Sequence, residues 1–429
     1  MIPAVDDDLL APSATRDPVA ATAALRERDP VHWSATHRAW LLTRYDDVSR
    51  AFANTKLSSD RVRPLLAARR SASAPGSAGP VGESASASAS QRMLGLISEW
   101  MVVTDPPSHT RLRRLAGAAF KQQQISAMDA RIQRLVDELV DDFVAAGPAD
   151  EPRDLIAHVA YPLPAIVIAE MLGAGPEDRD RFRHWSDELA LVAFGAGGDS
   201  RPERHERALR GLEEMGGYFR QLIGARRREP REDMLSAMLG GPGDPEGLTD
   251  DELVGMCALL LFAGHETTTN SIANAVRTLC AHPDQLARLQ AEPGILPTAV
   301  EELLRVDGPI KLLVRWVLAD HELGGHTISA GERVYLVLVA ANHDPATFDR
   351  ADEVDLTRSP NPHIAFGKGI HACIGAQLAR LETRAAVGTL VRRLPGLRLA
   401  DEDVSWNPSL ASRALTALPV VHDPTGGTR

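Results

Sequence analysis

One cysteine of the sequence stands in a setting that suits metal binding. Cys373 follows Gly367, Gly369 and His371 within the segment 366–375, which reads FGKGIHACIG. Glycines let the backbone turn tightly and approach a flat ligand closely. The sequence pattern starts a helix at Cys373, and the positive end of a helix stabilises a thiolate over a thiol. The spacing predicts a thiolate that can ligate iron, and the alternative is a buried cysteine beside an ordinary glycine turn.

A second motif, AGHETT, lies midway along a helical segment that runs from Thr249 to Cys280. Its Gly264 and Thr267 can loosen the helical hydrogen bonds and open a groove. Its Glu266, next to the hydroxyl, can move protons. Taken alone, Glu266 is more simply a surface carboxylate and Thr267 a packing residue, so the motif depends on its context.

Two further pairs of residues each share one helix face. His109 and Arg113 are four residues apart, and Glu302 and Arg305 are three apart. The planar fork of arginine suits carboxylate ligands, which makes the first pair a candidate for binding an acidic group. The second pair can bond internally, although the pattern E-x-x-R is common in helices and indicates little by itself.

Composition limits the class of protein. The 429 residues include 47 basic and 58 acidic side chains, and the net charge of −11 argues against nucleic acid as a partner. Three cysteines without a CxxC pair argue against a disulfide framework or a structural zinc site and fit a reducing compartment. The acidic N-terminus and the lack of any apolar run of about 18 residues indicate no membrane anchor. We therefore expect a cytoplasmic protein.

The patterning predicts a mainly α protein with a minor β part. Two short strands around a turn are expected within 31–48, helices over 105–305, strands over 313–340 and a last helix from about Cys373 to Arg393. We expect residues 1–429 to form one domain. A Ser/Ala-rich stretch at 71–90 predicts a mobile internal loop, which is either a lid or a neutral surface insertion.

Together, these motifs resemble those of the cytochrome P-450 family. The segment 366–375 resembles the family's haem-binding signature, AGHETT its oxygen-binding stretch, and Glu302 with Arg305 its E-x-x-R. The resemblance runs from about residue 30 to 420 and is strongest to the soluble bacterial branch. It implies the cytochrome P-450 fold, a triangular helical prism with a long central helix over the haem and small β-sheets. It also implies haem b as the cofactor.

The resemblance assigns a role to each matching residue. Cys373 would be the axial ligand of the haem iron, Gly264, Glu266 and Thr267 the catalytic residues, and Glu302 with Arg305 a structural pair. The haem contacts that it implies are His109, Arg113, Ala263, Arg315, Phe366, Gly367, His371, Cys373 and Gly375. The apolar substrate pocket that it implies is formed by Leu259, Phe262, Ala263, Leu312, Leu313, Leu410 and Ala411. For each pocket residue, plain core packing is the alternative.

Two positions remain open in this comparison. Many relatives have an Arg-Phe pair where this chain has Glu353-Val354, so the third member of the family's Glu-Arg-Arg network is either Arg358 or absent. Lys311, which precedes the pocket residues, either anchors an acidic group of the substrate or extends to water.

The implied activity is that of a monooxygenase. It would insert one oxygen atom of O2 into an apolar or partly apolar small molecule, by hydroxylation or epoxidation, and secondary-metabolite tailoring is the expected role. A peroxide-dependent peroxygenase is an alternative that the pair Glu266 and Thr267 opposes. A non-catalytic haem-fold helper or sensor is another, which Cys373 opposes.

Electrons from NAD(P)H must reach the site through separate proteins, because no cysteine cluster can hold an iron–sulfur centre. A ferredoxin and a ferredoxin reductase are the expected partners of a chain that is otherwise a monomer. A basic patch on the cysteine side would receive the acidic ferredoxin. The patch would consist of Arg111, Arg114, Lys368, Arg380 and Arg384, each of which is alternatively a plain surface charge.

Overall fold

A computed structural model describes residues 6–72, 85–193, 202–239 and 247–424. Long helices and short strands confirm the predicted mainly α fold with a minor β part. Among the described helices, none combines the length and the apolar composition that a membrane span requires.

The helices are α1 (Pro12–Arg16), α2 (Pro18–Arg28), α3 (Tyr45–Ala51), α4 (Arg63–Ala72), α5 (Ala85–Ile97), α6 (Ser108–Gly117), α7 (Gln122–Ala127), α8 (Asp129–Ala145), α9 (Pro162–Met171), α10 (Arg179–Ala193), α11 (Pro202–Arg228), α12 (Met234–Leu239), α13 (Asp250–Ala281), α14 (Pro283–Ala291), α15 (Leu296–Asp307), α16 (Leu338–Ala341) and α17 (Ala376–Arg393). The strands are β1 (Val31–Ser34), β2 (Ala39–Leu42), β3 (Leu57–Ser58), β4 (Arg153–Asp154), β5 (Leu312–Val317), β6 (His321–Leu323), β7 (His326–Ile328), β8 (Arg333–Val337), β9 (Arg398–Leu399) and β10 (Pro419–Val421).

Helix α13 is the long central helix, and its 32 residues confirm the segment predicted from Thr249 to Cys280. A capping box fixes its start, because the Thr249 hydroxyl accepts the Glu252 N–H and the Glu252 carboxylate accepts the Thr249 N–H. Pro283 opens the next helix and ends this one. Helices α9, α11, α15 and α17 pack around α13, so it is almost entirely enclosed.

A five-stranded sheet of order β1-β2-β8-β5-β3 lies beside the helices. Strands β2 and β8 run parallel, and the other neighbours in the sheet are antiparallel. The edge strand β3 pairs Leu57 with Val317 and Ser58 with Trp316 of β5. This register places the chain just after β3 beside Arg315. Two smaller sheets, β4-β10-β9 and β6-β7, complete the β part.

The cysteine loop differs from the prediction at its end. Helix α17 begins at Ala376, so Cys373 precedes the helix instead of opening it. The Cys373 N–H donates to the Phe366 carbonyl over 2.8 Å and closes the loop. Gly367 and Gly369 have φ values of 67° and 70°, in the left-handed region that glycine adopts without strain. The predicted glycine turn is therefore present, and the tight loop displaces the helix start by three residues.

The Ser/Ala-rich stretch 71–90, predicted to be a loop, is helical at both ends. Helix α4 continues to Ala72 and helix α5 begins at Ala85, so both ends of the stretch are helical where the structure describes them. The alternation of alanine with serine is compatible with a helix, since alanine is the best helix former. The remainder, 73–84, lies outside the described residues.

Glu302 is the centre of a buried ion network, and its side chain has no exposed surface. Arg305 donates to it through Nε and Nη2, each over 2.8 Å, and Arg358 donates through Nε over 3.0 and 3.1 Å. Arg358 is thus the third member that the sequence left open. Burial alone would raise the pKa of Glu302, but the hydrogen bonds from Arg305, and then those from Asp355 N–H and Arg358, hold it below its usual value.

We predict that Arg358→Met destabilises the protein by about 3 kcal/mol, because it leaves part of a buried negative charge without a partner. Arg50→Met is the matched control, since Arg50 pairs with Asp47 but its side chain is 74% exposed. The control should cost less than about 1 kcal/mol. Urea unfolding midpoints compare the two variants, and equal losses would contradict the buried network.

Candidate functional site

One face in the middle of α13 is accessible although the helix is otherwise enclosed. From Leu253 to Val276, every residue is buried except Ala263, Gly264, Glu266 and Thr267. Their spacing of i, i+1, i+3 and i+4 places them on one side of the helix. They are also four residues that the sequence motif singled out. An accessible face on an enclosed helix borders an interior cleft.

The hydrogen bonds of this face only partly match the loosened helix that the sequence predicts. The Thr267 hydroxyl donates to the Ala263 carbonyl over 2.7 Å, as a side chain that competes with the helical ladder does. The helix nevertheless continues without a break through the motif. Asn270 donates to the Glu266 carboxylate over 3.2 Å. A Cβ atom on Gly264 would lie 3.4 Å from Ile168, so the glycine also permits close packing on α9.

Cys373 lies in the loop just before α17. Its side chain is accessible, yet burial raises the pKa of its thiol, and both hold for a side chain that lines an interior cleft. The Gly375 N–H and the charges of Arg113 and Arg380 lower this pKa without compensating for the burial. The Gly375 N–H at the start of α17 thus favours the thiolate, as predicted, although burial has the larger effect on this pKa. A bound metal ion removes the proton of a thiol that coordinates it.

Two histidines meet at the rim of the cleft. The rings of His109 and His371 lie 4.0 Å apart, and His109 is buried. Both nitrogens of His109 and Nε2 of His371 have no hydrogen-bond partner among the described residues. Burial lowers the pKa of His371 to about 3, helped by His109, Arg315 and Arg113. Both rings thus present unpartnered nitrogens at the rim.

Arg113 and Arg315 converge on the same rim. Arg315 is only 8% exposed and donates to the adjacent Val314 carbonyl over 3.0 Å. Burial, and then the charge of Arg61, lowers the pKa of Arg315 to about 10, while Asp105 opposes the shift. Arg113 makes no hydrogen bond or ion pair with the other described residues. Buried guanidinium groups without a carboxylate are costly, so the rim is suited to an acidic ligand.

These residues fit iron protoporphyrin IX. The sulfur of Cys373 is of the type that ligates haem iron, and the unpartnered donors of His109, Arg113 and His371 suit the two propionate groups. Phe366, Gly367 and Gly375 belong to the loop that carries the sulfur. In the described parts of the chain, no cluster of histidine, cysteine or acidic residues offers an alternative metal site.

The predicted pocket residues are divided among different parts of the molecule. Ala263 is accessible on the open face, whereas Leu259 and Phe262 are buried in the main helical core, with the Phe262 ring 6.0 Å from that of Trp100. Leu313 packs against a second core cluster, as Phe52 does.

Two of the predicted pocket residues lie together in another part of the molecule. Leu312, which is 1% exposed, and Leu410 pack with Leu9 and Val339 in a separate cluster beneath the N-terminal helices. Both residues also line a small cavity there, and their part in a substrate pocket stays a prediction. Ala411 is partly exposed, and its carbonyl accepts the Lys311 N–H over 2.7 Å.

The position of Lys311 excludes one of its two predicted roles. Its side chain is 4% exposed and therefore does not extend to water. It lines a small cavity together with Pro18, Thr22 and Leu312, under the N-terminal helices. Its ammonium group makes no hydrogen bond or ion pair with the described residues. Burial, and then the charge of Arg413, lowers the pKa of Lys311 to about 8.

Two of the five residues of the predicted basic patch form ion pairs with acidic residues of this chain. Arg111 donates to Glu252, and Arg380 donates to Glu301 over 2.7 and 2.8 Å while stacking on Phe366. Lys368 remains exposed. Arg114 is also exposed and Arg384 is partly buried.

Two residues of the site region carried no motif and were missed in the sequence. Glu301 accepts hydrogen bonds from Arg380 and from His363, which hold its pKa at about 2 although burial opposes this. The position of Glu301 directly before Glu302 was the sequence signal that could have indicated its role. Arg61 had no signal, because only the fold brings it beside Arg315.

Comparisons with known proteins agree on one family. A family model described as Cytochrome P450 matches residues 80–395. The vitamin D(3) 25-hydroxylase of Pseudonocardia autotrophica is 38% identical over 423 residues, 97% of this chain and 96% of the other. Cytochrome P450 monooxygenase PikC of Streptomyces venezuelae is 37% identical over 426 residues, 97% and 94% of the two chains. The structure of P450BioI with hexadec-9Z-enoic acid ligated acyl carrier protein has a TM-score of 0.84 at 32% identity, covering 95% of this chain and 99% of that chain.

We predict that Lys311→Met stabilises the protein at pH 7 by up to about 3 kcal/mol, because folding then buries no unpaired charge. The lysine pKa falls from 10.5 to about 8 on folding, so the unfolded chain binds more protons between these values. Wild-type stability should therefore rise across that window and approach that of the variant. Unfolding midpoints from pH 7 to 10 measure the difference, with exposed Lys121→Met as the control. If the stability difference between wild type and Lys311→Met stayed constant from pH 7 to 10, the lowered pKa of Lys311 would be refuted.

Proposed function

Because the chain belongs to the cytochrome P450 family, we propose that it is a haem-thiolate monooxygenase that inserts one oxygen atom of O2 into an apolar or partly apolar small molecule. The single observation that carries the proposal is the accessible face of α13, formed by Ala263, Gly264, Glu266 and Thr267. A haem-fold protein without oxygen chemistry has no need of an acid and a hydroxyl on the one open face of an enclosed helix.

In this proposal, the protein supplies positioning and the haem supplies the redox chemistry. Haem ligated by a thiolate favours cleavage of the O–O bond, and Cys373 would hold it. His109, Arg113, Arg315 and His371 would bind the propionates. Both nitrogens of His109 and Nε2 of His371 have no hydrogen-bond partner among the described residues, so they are available to a ligand.

Thr267 and Glu266 would manage protons at the open face. The Thr267 hydroxyl already donates its hydrogen to the Ala263 carbonyl, which leaves its oxygen free to accept a hydrogen bond from a water in the cleft. Glu266, one residue away, is partly exposed and can exchange protons with that water. The neighbouring hydroxyls of Thr269 and Ser271 are bonded in the same way to carbonyls four residues back.

The proposed substrate class is supported by the predicted wall of the cleft and by the relatives. Ala263 and Leu313 offer apolar surface, which suits a substrate that is at least partly apolar. One relative is named for hydroxylation of vitamin D(3), and P450BioI was solved with a fatty acid on acyl carrier protein. We extend this to hydroxylation or epoxidation in secondary-metabolite tailoring.

Electron supply is proposed to come from NAD(P)H through a ferredoxin reductase and a ferredoxin. Lys368 and Ile370 are both exposed on the cysteine loop, Ile370 by 50%. A positive charge next to an exposed apolar side chain suits docking of an acidic protein close to the haem ligand.

Two measurements on the haem-loaded protein test the proposal. The reduced protein with carbon monoxide should absorb at about 450 nm, as thiolate-ligated haem does. With NAD(P)H, ferredoxin and ferredoxin reductase, isotopically labelled O2 should place one labelled atom in the product. Haem binding without that band would overturn the assignment of Cys373. Product that forms only with hydrogen peroxide would favour the peroxygenase.

We predict that Thr267→Ala lowers product formed per NAD(P)H by at least about tenfold, because the proton-bearing water loses its anchor. The missing reducing equivalents should appear as hydrogen peroxide. Thr269→Ala is the matched control: its hydroxyl bonds the His265 carbonyl over 3.1 Å, but the residue is buried and off the open face. The control should keep its coupling, and similar losses in both variants would point to a general helix effect.

A further inference from the structure

Arg61 lies in the turn between β3 and α4, and this turn is held from both sides. The Asp60 carboxylate accepts the N–H groups of Val62 and Arg63 and so fixes the entry to α4. Before the turn, the Asp105 carboxylate accepts the Ser58 hydroxyl and the Ser59 N–H. Since both flanks are bonded, the backbone of Arg61 is set in one position.

The nearby acids are already engaged. Arg63 takes the Asp60 carboxylate in an ion pair of 2.9 Å, and Asp105 accepts its two hydrogen bonds from the serines. Arg61 makes no hydrogen bond or ion pair with the other described residues. Its side chain is only partly exposed, and burial lowers its pKa. A guanidinium group in that state lacks the partner that enclosed charges normally have.

The location of the group points to the haem rim. The charge of Arg61 is close enough to Arg315 to lower the pKa of that residue, and Asp105 also acts on Arg315. The β3–β5 pairing supports this, because it brings the chain after Ser58 alongside Arg315.

The charges at the rim do not balance within the protein. Arg61, Arg113 and Arg315 contribute three positive charges, and Asp105 contributes one negative charge. Two positive charges remain, which two carboxylates would neutralise. Arg113 and Arg315 alone, offset by Asp105, would leave a single positive charge, so Arg61 supplies the second.

We propose that Arg61 is a carboxylate-binding residue of the interior cleft, which bonds either a haem propionate or the carboxylate of an acidic substrate. The planar fork of arginine binds both oxygens of such a group, which a lysine or glutamine cannot do. The proposal rests on the haem site of the proposed function and adds a residue to it that no sequence motif indicated.

Three variants test the proposal on the ferric protein: Arg61→Gln, Arg61→Lys and the control Arg63→Gln. Arg63 is exposed and lies two residues further on, at the start of α4. Circular dichroism checks that each variant is folded. The first measurement is the rate of haem transfer to excess apomyoglobin, and the second is the spectral titration with myristic acid and with methyl myristate.

If the partner is a propionate, Arg61→Gln should accelerate haem loss roughly tenfold, with partial rescue in Arg61→Lys and no change in Arg63→Gln. If the partner is a substrate carboxylate, haem loss stays constant, while the Kd for myristic acid rises roughly tenfold and that for the methyl ester does not. Either result supports the proposal. Unchanged values in both measurements, or equal effects in Arg63→Gln, overturn it.

These measurements require neither electrons nor oxygen, so they are independent of monooxygenase activity. A protein that releases haem faster as Arg61→Gln but never forms labelled product would retain this inference and lose the proposed function. The converse result would retain the function and remove Arg61 from the site.

Discussion

Two adjacent carboxylates, Glu301 and Glu302, organise the region that carries the cysteine. Glu302 binds Arg305 and Arg358, and Arg305 in turn donates to the carbonyls of Asn342, Ala351 and Glu353. The segment before the cysteine loop is thereby tied to α15. Glu301 faces another way and binds His363 and Arg380, whose guanidinium group stacks on Phe366. Glu301 and Glu302, in one turn of α15, thus hold the segment before the cysteine loop and the first residue of that loop. These ion pairs help to fix the position of the Cys373 sulfur.

The buried polar groups around Glu302 differ from those at the rim of the cleft. Around Glu302, every buried charge has a partner and the donors are satisfied, which is what a permanent structural element requires. At the rim of the cleft, the donors of His109, His371 and Arg113 have no partner among the described residues. Leaving them so costs stability. Such a loss of stability is expected only where a bound ligand offsets it. Unpartnered buried donors therefore distinguish binding residues from structural ones more clearly than residue type does.

Sequence reasoning succeeded where the signal is local. The loop around Cys373 and the open face of α13 depend on spacing within ten residues, which a single segment determines. It could not locate side chains whose position depends on distant partners. Leu312 lies beside the N-terminal helices, because its side of β5 is decided by strand pairing and by α1 and α2. The raised pKa of Cys373 has the same origin, since enclosure by the whole fold outweighs the local helix end. Arg358 and Arg61 could be assigned only from tertiary contacts.

The five-stranded sheet joins strands near the N-terminus to strands that occur much later in the chain, and this bears on the order of assembly. Trp40 donates to Glu332, 292 residues later, and β2 lies parallel to β8. Contacts of such separation form slowly, because a long stretch of chain must first be brought together. During synthesis, the N-terminal strands are complete long before β5 and β8 leave the ribosome, and the cysteine loop follows later still. The rim residues near Ser58 therefore acquire their final neighbours only late in translation, so a cofactor can be captured only by a chain that is almost fully made.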